Sequence, residues 1–408
     1  MAEKNVLLIA YGYPPFGQTS SRRSGCMAKY LSCFGWTPFV LTRKWTPTNG
    51  PYDPTIVKGI PEDVIVHKMA YDVRQHSIPA RVKKRLYQTL FPHKDPIEFF
   101  RKASLILPDL IQKHRIHVIW ATFPPLCDLA LADNVSKAKG IPWVADFRDV
   151  SQFIDGLGEA LMRPMRLFQE KRVLKSASAI ITVSDGFART LRQRHNREVM
   201  VIPNGFDPDI MTTEQSFVFP KFEIVYTGGI NTGHPDFTPL LDAVQNLCHA
   251  GKMDSEDILI SFYGEGNERR LKRLFRHPLS RVIRNCGDVP RSESLAHQCS
   301  ALILLQTAAP GTGWMTSKIY EYLIARRPIL AIPRDGDSIE KLMRETNAGA
   351  SCSTKDEIAD QLTVWYSEWK KTGTVAWHGD MRMIMQFSRQ EQAKETTRLL
   401  DEVIAGRS

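Results

Sequence analysis

The chain has no C-x-x-C pair among its seven cysteines, at positions 26, 33, 127, 248, 286, 299 and 352. An odd count without that spacing argues against a closed disulfide frame and a zinc knuckle, and predicts reduced thiols. No apolar run approaches the ~18 to 20 residues that a membrane-spanning helix needs. Met1-Ala2-Glu3-Lys4-Asn5 passes straight into an apolar strand rather than a secretory signal, so a cytoplasmic protein is expected. The familiar nucleotide motifs are missing too: "TGGINTG" is not G-x-G-x-x-G, "GEGNER" lacks the third glycine, and "GTGWMTSK" lacks the Gly-Lys-Ser/Thr order of a P-loop. A nicotinamide enzyme therefore has little support. There is no aromatic-interleaved RNA motif and no recognisable DNA-binding helix pair, which sets nucleic acid aside despite a net charge of +10. His114 and His117 stand three apart with no third ligand and read as surface histidines. Asp207-Pro208-Asp209 and Asp335-Gly336-Asp337 fall in turns, where aspartate serves the backbone. The expectation is no metal site and no resident cofactor.

What is present suits a soluble protein of two domains. At 408 residues the chain exceeds one ordinary core, and 43% hydrophobic with 24% charged residues is a globular composition. Apolar strands alternate with helix-spaced segments: "NVLLIAYGYPP", "SSRRSGCMAKYLSCFGW", "TPFVLTRK", then "HVIWATFPP", "DLALADNVSKAKG", "IPWVADFRDV", then "AIITVS", "DGFARTLRQRH", "EVMVIPNG". After a polar stretch the alternation restarts at "FEIVYTGGI" and runs through "NERRLKRLFRH", "RVIRNCGDV" and "SKIYEYLIARR" to "PILAIP". Such alternation implies right-handed crossovers and parallel sheets, here an α/β chain of two tandem doubly wound domains. The expected division is 1–209, 210–380 and a C-terminal helix in 381–408, with Pro203-Asn204-Gly205-Phe206-Asp207 closing the first sheet at the junction. Residues 1–210 hold 30 Lys and Arg against 19 Asp and Glu, whereas 211–408 hold 24 against 25. The basic excess, including Lys83-Lys84-Arg85 and Arg163, Arg166, Lys171, Arg172 and Lys175, faces either water or an anionic membrane surface.

Doubly wound sheets bind ligands at the carboxyl ends of their strands. In the first half those ends carry Tyr13-Pro14-Pro15-Phe16-Gly17-Gln18-Thr19, Thr122-Phe123-Pro124-Pro125 and Asp146-Phe147-Arg148-Asp149. In the second they carry Thr227-Gly228-Gly229-Ile230-Asn231, Gly264-Glu265-Gly266 and Pro310-Gly311-Thr312-Gly313-Trp314-Met315-Thr316-Ser317-Lys318. In the last of these, the glycines allow close backbone approach, and Thr316 or Ser317 can cap the following helix so that its amides suit a phosphate. Lys318 sits in the first helical turn against the usual dipole preference, as expected where an anion binds. Glu321 lies one turn on, on the open face of the helix with Ser317 and Lys318, while Ile319, Tyr322 and Leu323 point inward. A carboxylate there can accept both ribose hydroxyls. An ordinary capped helix accounts for the same residues.

The ordered series "LLIAYGYPPFGQTSSRRSGCMAKYLSCFGWTPFVLT", "PWVADFRD", "AIITVSDGFARTL", "VMVIPNGFD", "IVYTGGI", "FYGEGNE" and "SKIYEYLIARRPILAI" resembles the retaining GT-B glycosyltransferases of family four, the group-one glycosyltransferases, from about residue 5 to 350. The resemblance implies two Rossmann-like domains facing across a cleft, with a nucleotide-diphosphate sugar held mainly by the C-terminal domain and an acceptor by the N-terminal one. It also implies no obligatory metal, and a last helix that crosses back to the first domain. Glu321 matches the second glutamate of the family's E-x7-E motif, the ribose binder, and the first would fall at Gly313, where it is absent. The cations that commonly follow the "Y-x-G" strand are missing; Asn231 and His234 stand there, leaving Lys318, Arg22 or Arg23 to supply charge.

The implied activity is retaining transfer of a sugar to a glycan or lipid-linked acceptor in surface polysaccharide or glycoconjugate biosynthesis. Its site would comprise Gly17, Arg22, Gly228, Gly229, Asn231, Gly264, Gly313, Thr316, Ser317, Lys318 and Glu321 around the donor. Asp149 would orient the acceptor hydroxyl, with Arg148 or Asp146 fixing its rotamer; a loop carboxylate paired to Arg148 is the plainer alternative. A nucleotide-sugar epimerase or hydrolase of the same fold, or a non-catalytic nucleotide-binding subunit, remain the other readings.

Overall fold

A computed structural model of the chain describes residues 4–57, 59–70, 94–150, 157–210, 219–230, 237–266, 274–309, 311 and 313–406. It separates into two compact units, each built on one parallel sheet: unit 1 comprises Met1–Val183, Phe187–Pro203 and Arg389–Ser408, and unit 2 comprises Ser184–Gly186 and Asn204–Ser388.

The unit 1 sheet has the order β3-β2-β1-β4-β5-β6-β7. Its strands are β1 (Lys4–Ile9), β2 (Trp36–Arg43), β3 (Ile65–Met69), β4 (Val118–Phe123), β5 (Trp143–Phe147), β6 (Ala179–Thr182) and β7 (Met200–Val201). β4 and β5 are buried at every residue, which is why their sequences read as unbroken apolar runs rather than alternating ones. β3 is half exposed along its length, and its "IVHKM" lacks such a run, so it stands out weakly in the sequence. Helices α1 (Thr19–Leu31), α2 (Lys94–Lys113), α3 (Leu126–Lys139), α4 (Leu157–Leu174) and α5 (Asp185–His195) make the crossovers. Pro108 inside α2 and Pro164 inside α4 break the helical reading of those segments. The last helix of the chain, Arg389–Ile404, belongs to this unit. Its Ala393, Leu399, Leu400 and Val403 enter one apolar cluster with Val6, Met27, Ala28 and Leu31, and Lys4 pairs with Asp401 at 2.8 Å.

The unit 2 sheet has the order β10-β9-β8-β11-β12-β13. Its strands are β8 (Phe222–Thr227), β9 (Ile258–Tyr263), β10 (Ile283–Gly287), β11 (Ile303–Thr307), β12 (Ile329–Ile332) and β13 (Gly349–Ser351). Its helices are α6 (Thr238–His249), α7 (Arg291–Ser300), α8 (Lys318–Ile324), α9 (Ser338–Thr346), α10 (Lys355–Thr372) and α11 (Met381–Met385), which makes Arg389–Ile404 α12. Most of the segment read as a helix in "NERRLKRLFRH" lies outside the described residues.

In both sheets the strand order reverses beside the first strand, between β1 and β4 and between β8 and β11. That reversal opens a crevice at the carboxyl edge, where doubly wound folds place their ligands. The Pro203-Asn204-Gly205 turn falls where the chain leaves unit 1: the Pro203 carbonyl still accepts from Arg23 Nη1 at 2.9 Å. Three residues on, the Phe206 amide donates to the Phe387 carbonyl at 3.3 Å inside unit 2.

Candidate functional site

In unit 2 the carboxyl ends of β8 and β9 run on side by side. The Gly228 amide donates to the Tyr263 carbonyl at 2.6 Å, and the Ile230 amide donates to the Glu265 carbonyl at 2.7 Å. Gly228 has φ of +137°, and a Cβ there would lie 2.7 Å from Lys318 Nζ. Gly264 has φ of +141°, and a Cβ there would lie 2.5 Å from the Gly228 carbonyl oxygen. Gly228 thus demands glycine by conformation, and Gly264 by conformation and by space. The Lys318 ammonium sits 3.8 Å from the centroid of the Tyr226 ring, a cation–π seat, and the Tyr226 hydroxyl donates to the Gly229 carbonyl at 3.3 Å. Gly228, Gly229, Gly264 and Lys318, expected from the sequence to share a site, are therefore brought together, with Tyr226 as a support that went unrecognised.

Helix α8 is tied to the same strand end. The Thr227 amide donates to the Tyr322 hydroxyl at 2.9 Å, and Gln298 Nε2 of α7 donates to Thr227 Oγ1 at 3.1 Å. Burial pushes the Tyr322 phenol well above its ordinary range. Ile319, Tyr322 and Leu323 are fully buried, as helix spacing predicts.

Two expectations about this helix are corrected. Neither Thr316 nor Ser317 caps it: Ser317 is itself in helical conformation and makes no side-chain cap bond, while the Ile319 and Tyr320 amides bond back to the Thr316 and Ser317 carbonyls at 3.4 and 3.3 Å. Thr316 Oγ1 instead accepts from Gln306 Nε2 at 3.4 Å. Glu321 does not stand on an open face: its side chain is 11% exposed and Oε1 accepts from Arg291 Nη2 at 2.9 Å. Arg291, the first residue of α7, is separated from Glu321 by 30 positions, too far for any helical spacing to betray the pair.

Gly313, at the position of the missing motif glutamate, has φ of +65°. A Cβ there would lie 2.4 Å from Cα of Gly186, a residue that groups with unit 2. Backbone and space both refuse a glutamate. Asn231 and His234 lie outside the described residues.

In unit 1, Gly17, Arg22 and Asp149 all belong to the loops and helix start at the carboxyl edge. The exposed Gly17 donates its amide to the Pro51 carbonyl at 3.0 Å, and Arg22 is half-buried on α1. Arg23 cannot serve a diphosphate, because its side chain is 1% exposed and committed to Asp146. Its Nε lies 3.1 and 3.0 Å from the two Asp146 oxygens, and its Nη2 lies 2.8 Å from Oδ1. Asp146 also accepts from Thr122 Oγ1 at 2.9 Å. Thus Asp146 does not fix Asp149. Nor is Arg148 paired to Asp149: its Nε donates to Thr122 Oγ1 at 2.7 Å and its Nη2 to the Pro124 carbonyl. Asp149 Oδ1 accepts from the Val150 amide at 2.7 Å, and burial raises its pKa against the opposing pull of that bond and of Arg148. Beneath these loops Asp128 of α3 is wholly buried and accepts from the Tyr11 amide at 2.8 Å; burial pushes its carboxyl up to about 8.

The aspartates of the two D-x-D turns serve the backbone as expected. Asp207 Oδ1 accepts from the Asp209 amide at 3.1 Å, and Asp335 accepts from the amides of Asp337, Ile339 and Glu340 at 3.1, 2.9 and 2.9 Å. Among the described residues no group of three or more His, Cys, Asp or Glu could hold a metal ion, and no helix is long and apolar enough to cross a membrane.

Residues 27–205 match the family described as glycosyl transferase 4-like domain. The whole chain superposes on HepE of Anabaena, solved with UDP and glucose, with a TM-score of 0.64 at 14% identity, covering 98% of this chain and 100% of that one. Sucrose-phosphate synthase of Thermosynechococcus elongatus superposes with a TM-score of 0.68 at 15% identity over 99% and 100%. A putative UDP-N-acetylglucosamine 2-epimerase of Listeria monocytogenes gives 0.57 at 8% identity over 98% and 96%. No curated protein matches the sequence. The fold is GT-B, two Rossmann-like units, and residues 27–205 relate the chain to the glycosyl transferase 4-like family.

Proposed function

We propose that this relative of the glycosyl transferase 4-like family is a retaining glycosyltransferase. It takes a sugar from a nucleotide-diphosphate donor on unit 2 and passes it to a glycan or lipid-linked acceptor on unit 1, in surface polysaccharide or glycoconjugate biosynthesis. The observation that carries this reading is the Lys318 ammonium held between the Tyr226 ring and the Gly228 backbone, on the same short helix as Glu321, at the carboxyl edge of the sheet. A fixed cation beside glycine backbone suits a diphosphate. As the glycosidic bond breaks, charge builds on the leaving phosphate, and a preplaced ammonium binds that state more tightly than the ground state. Glu321, oriented by Arg291, accepts the ribose hydroxyls. Asp149, whose proton affinity is raised by burial, orients the acceptor hydroxyl.

We further propose that the acceptor lies at the cytoplasmic face of an anionic membrane, a reading supported by the surface of unit 1. Unit 1 holds the basic excess, and Ile97 and Leu105 of α2 and Met165 and Phe168 of α4 are 57, 70, 45 and 68% exposed. Arg163, Lys171 and Arg172 are exposed on α4 beside the latter two. Leu174 at the end of α4 is buried, and the side chain of Leu161 and Lys83-Lys84-Arg85 lie outside the described residues.

A nucleotide-sugar epimerase or hydrolase is the second reading, favoured by the likeness to the Listeria fold. A thermal-shift panel of uridine, guanosine and adenosine diphosphate sugars identifies the donor, since a ligand at 100 times its Kd stabilises by ~2.7 kcal/mol. Incubation of that donor with and without acceptor extracts, in EDTA, then separates the readings. Transfer that needs acceptor and survives chelation supports the glycosyltransferase; epimerised or hydrolysed donor without acceptor replaces it with the second reading.

A further inference from the structure

Where β3 meets the end of α2 in unit 1, two histidines separated by 47 positions come together. Nε2 of His67 lies 3.2 Å from Nε2 of His114, with ring centroids 5.0 Å apart. Each ring is anchored by a different element. His67 stands on β3 in register with Leu41 of β2. His114 directly follows α2; its carbonyl accepts from Asn5 Nδ2 at 2.8 Å and its ring lies 4.4 Å from that of Phe39. His117, three residues on, is turned away: its Nδ1 accepts from the Asn5 amide at 3.0 Å. The meeting is therefore between strand and helix end, not along the H-x-x-H spacing visible in the sequence.

Burial lowers the pKa of both rings, with neighbouring His114 and Lys113 adding to the effect on His67, and Lys113 adding to it on His114. A neutral imidazole presents a nitrogen lone pair, the form that ligates metals. Two imidazole nitrogens bound at about 2.0–2.1 Å to a tetrahedral ion stand roughly 3.3 to 3.4 Å apart. At the right angle of a tetragonal ion they stand roughly 2.9 Å apart. The observed gap of 3.2 Å falls between the two, the spacing of two nitrogens that share one ion. Both side chains are half-buried, leaving room for water on the open side.

We propose that His67 and His114 form a two-imidazole site for a divalent transition ion of the nickel, copper or zinc class, completed by water, which clamps β3 to the end of α2. On binding, the ring that carries its proton on Nε2 moves it to Nδ1 through solvent, and both Nε2 lone pairs go to the ion. With two protein ligands and Lys113 nearby, the site is of modest affinity and takes no part in sugar transfer.

The test is titration of the full chain with Ni2+ by calorimetry, alongside His67→Gln and His114→Gln, with His249→Gln as control. One site per chain is expected. It should weaken in either pair variant by no less than the ~10- to 100-fold that losing even an outer-shell partner costs a metal site, and stay unchanged in the control. Because a pair variant can lose stability for other reasons, Cu2+ electron paramagnetic resonance on the unmodified chain provides a second readout, with coupling to two imidazole nitrogens expected. Coupling to fewer, or Ni2+ binding that is absent or indifferent to both pair substitutions, overturns the site and leaves a hydrogen-bonded histidine pair only.

Discussion

Removing the Glu321 carboxylate separates what this residue does for the fold from what it does for the donor. The Arg291 and Glu321 side chains are 23 and 11% exposed and joined at 2.9 Å. Glu321→Ala therefore takes a charge-assisted hydrogen bond from a mostly buried guanidinium, at a cost of ~1.5 to 3 kcal/mol. At ~2 to 4 °C per kcal/mol for a unit of this size, melting should fall by ~3 to 12 °C. Were the carboxylate on an open helix face, melting would hardly move. If Glu321 also accepts ribose hydroxyls, the same change should weaken the nucleoside diphosphate chosen by the thermal-shift panel by another ~1.5 to 3 kcal/mol, or ~10- to 150-fold in Kd. Arg291→Met supplies the comparison, because it breaks the pair but keeps the carboxylate. It should reproduce the melting loss with a smaller loss of affinity, and Glu321→Gln, which keeps an acceptor oxygen, should fall between on both measures. Calorimetry on the folded variants decides the matter. A Glu321→Ala protein that melts low but binds the nucleotide unchanged refutes the ribose role and leaves Glu321 as the partner of Arg291 alone.

Asp128 yields a pH prediction. Burial raises its folded pKa from the ordinary 3.8 to about 8, so the fold favours the protonated form; the contribution is fully present below about 3.8 and is lost as pH rises toward 8. Asp128→Asn mimics the protonated carboxyl, so its melting advantage over the unmodified chain should widen from pH 5 to pH 8; a constant gap would contradict a neutral Asp128. Breaking the buried Arg23–Asp146 pair with Arg23→Met should cost ~3 to 5 kcal/mol, and Arg23→Met with Asp146→Leu should restore much of it; urea unfolding that shows under ~1 kcal/mol for the single change denies the pair its burial. The membrane reading requires co-sedimentation with anionic liposomes at low salt, release at high salt, and loss in Leu105→Glu with Phe168→Glu; a protein that stays in the supernatant with all vesicles removes the membrane surface, and with it the reason to favour a lipid-linked acceptor.

Both parallel sheets were legible because their central strands are buried on two faces and so read as apolar runs between helix-spaced segments. β3, exposed at the edge, and α2, interrupted by Pro108, carry neither signal cleanly. The glycines at the ends of β8 and β9 were legible for a related reason. Backbone that must turn through positive φ beside a lysine can hardly be anything else, and Gly228 and Gly264 sit at the strand ends where ligands are expected. The partners of the charged residues were not legible. Asp146 stands two positions from Arg148 and three from Asp149, yet its carboxylate goes to Arg23, 123 positions away, and Glu321 finds Arg291 across 30. Local spacing cannot rank such pairings, because the free energy that selects them is the avoided cost of burying an unpaired charge, and burial is settled only when the sheets assemble.

Gly313 shows how the two kinds of information combine. From the sequence it is a missing glutamate and weakens the case for catalysis. In the fold its φ of +65° and the 2.4 Å between a Cβ at this position and Gly186 Cα mean that no side chain fits without moving the loop. The backbone of this chain at Gly313 therefore has no room for the motif glutamate. If the proposed donor site is right, this loop and α8 still offer it Lys318 and Glu321, so the substitution of either should be felt more sharply than where a second glutamate shares the load.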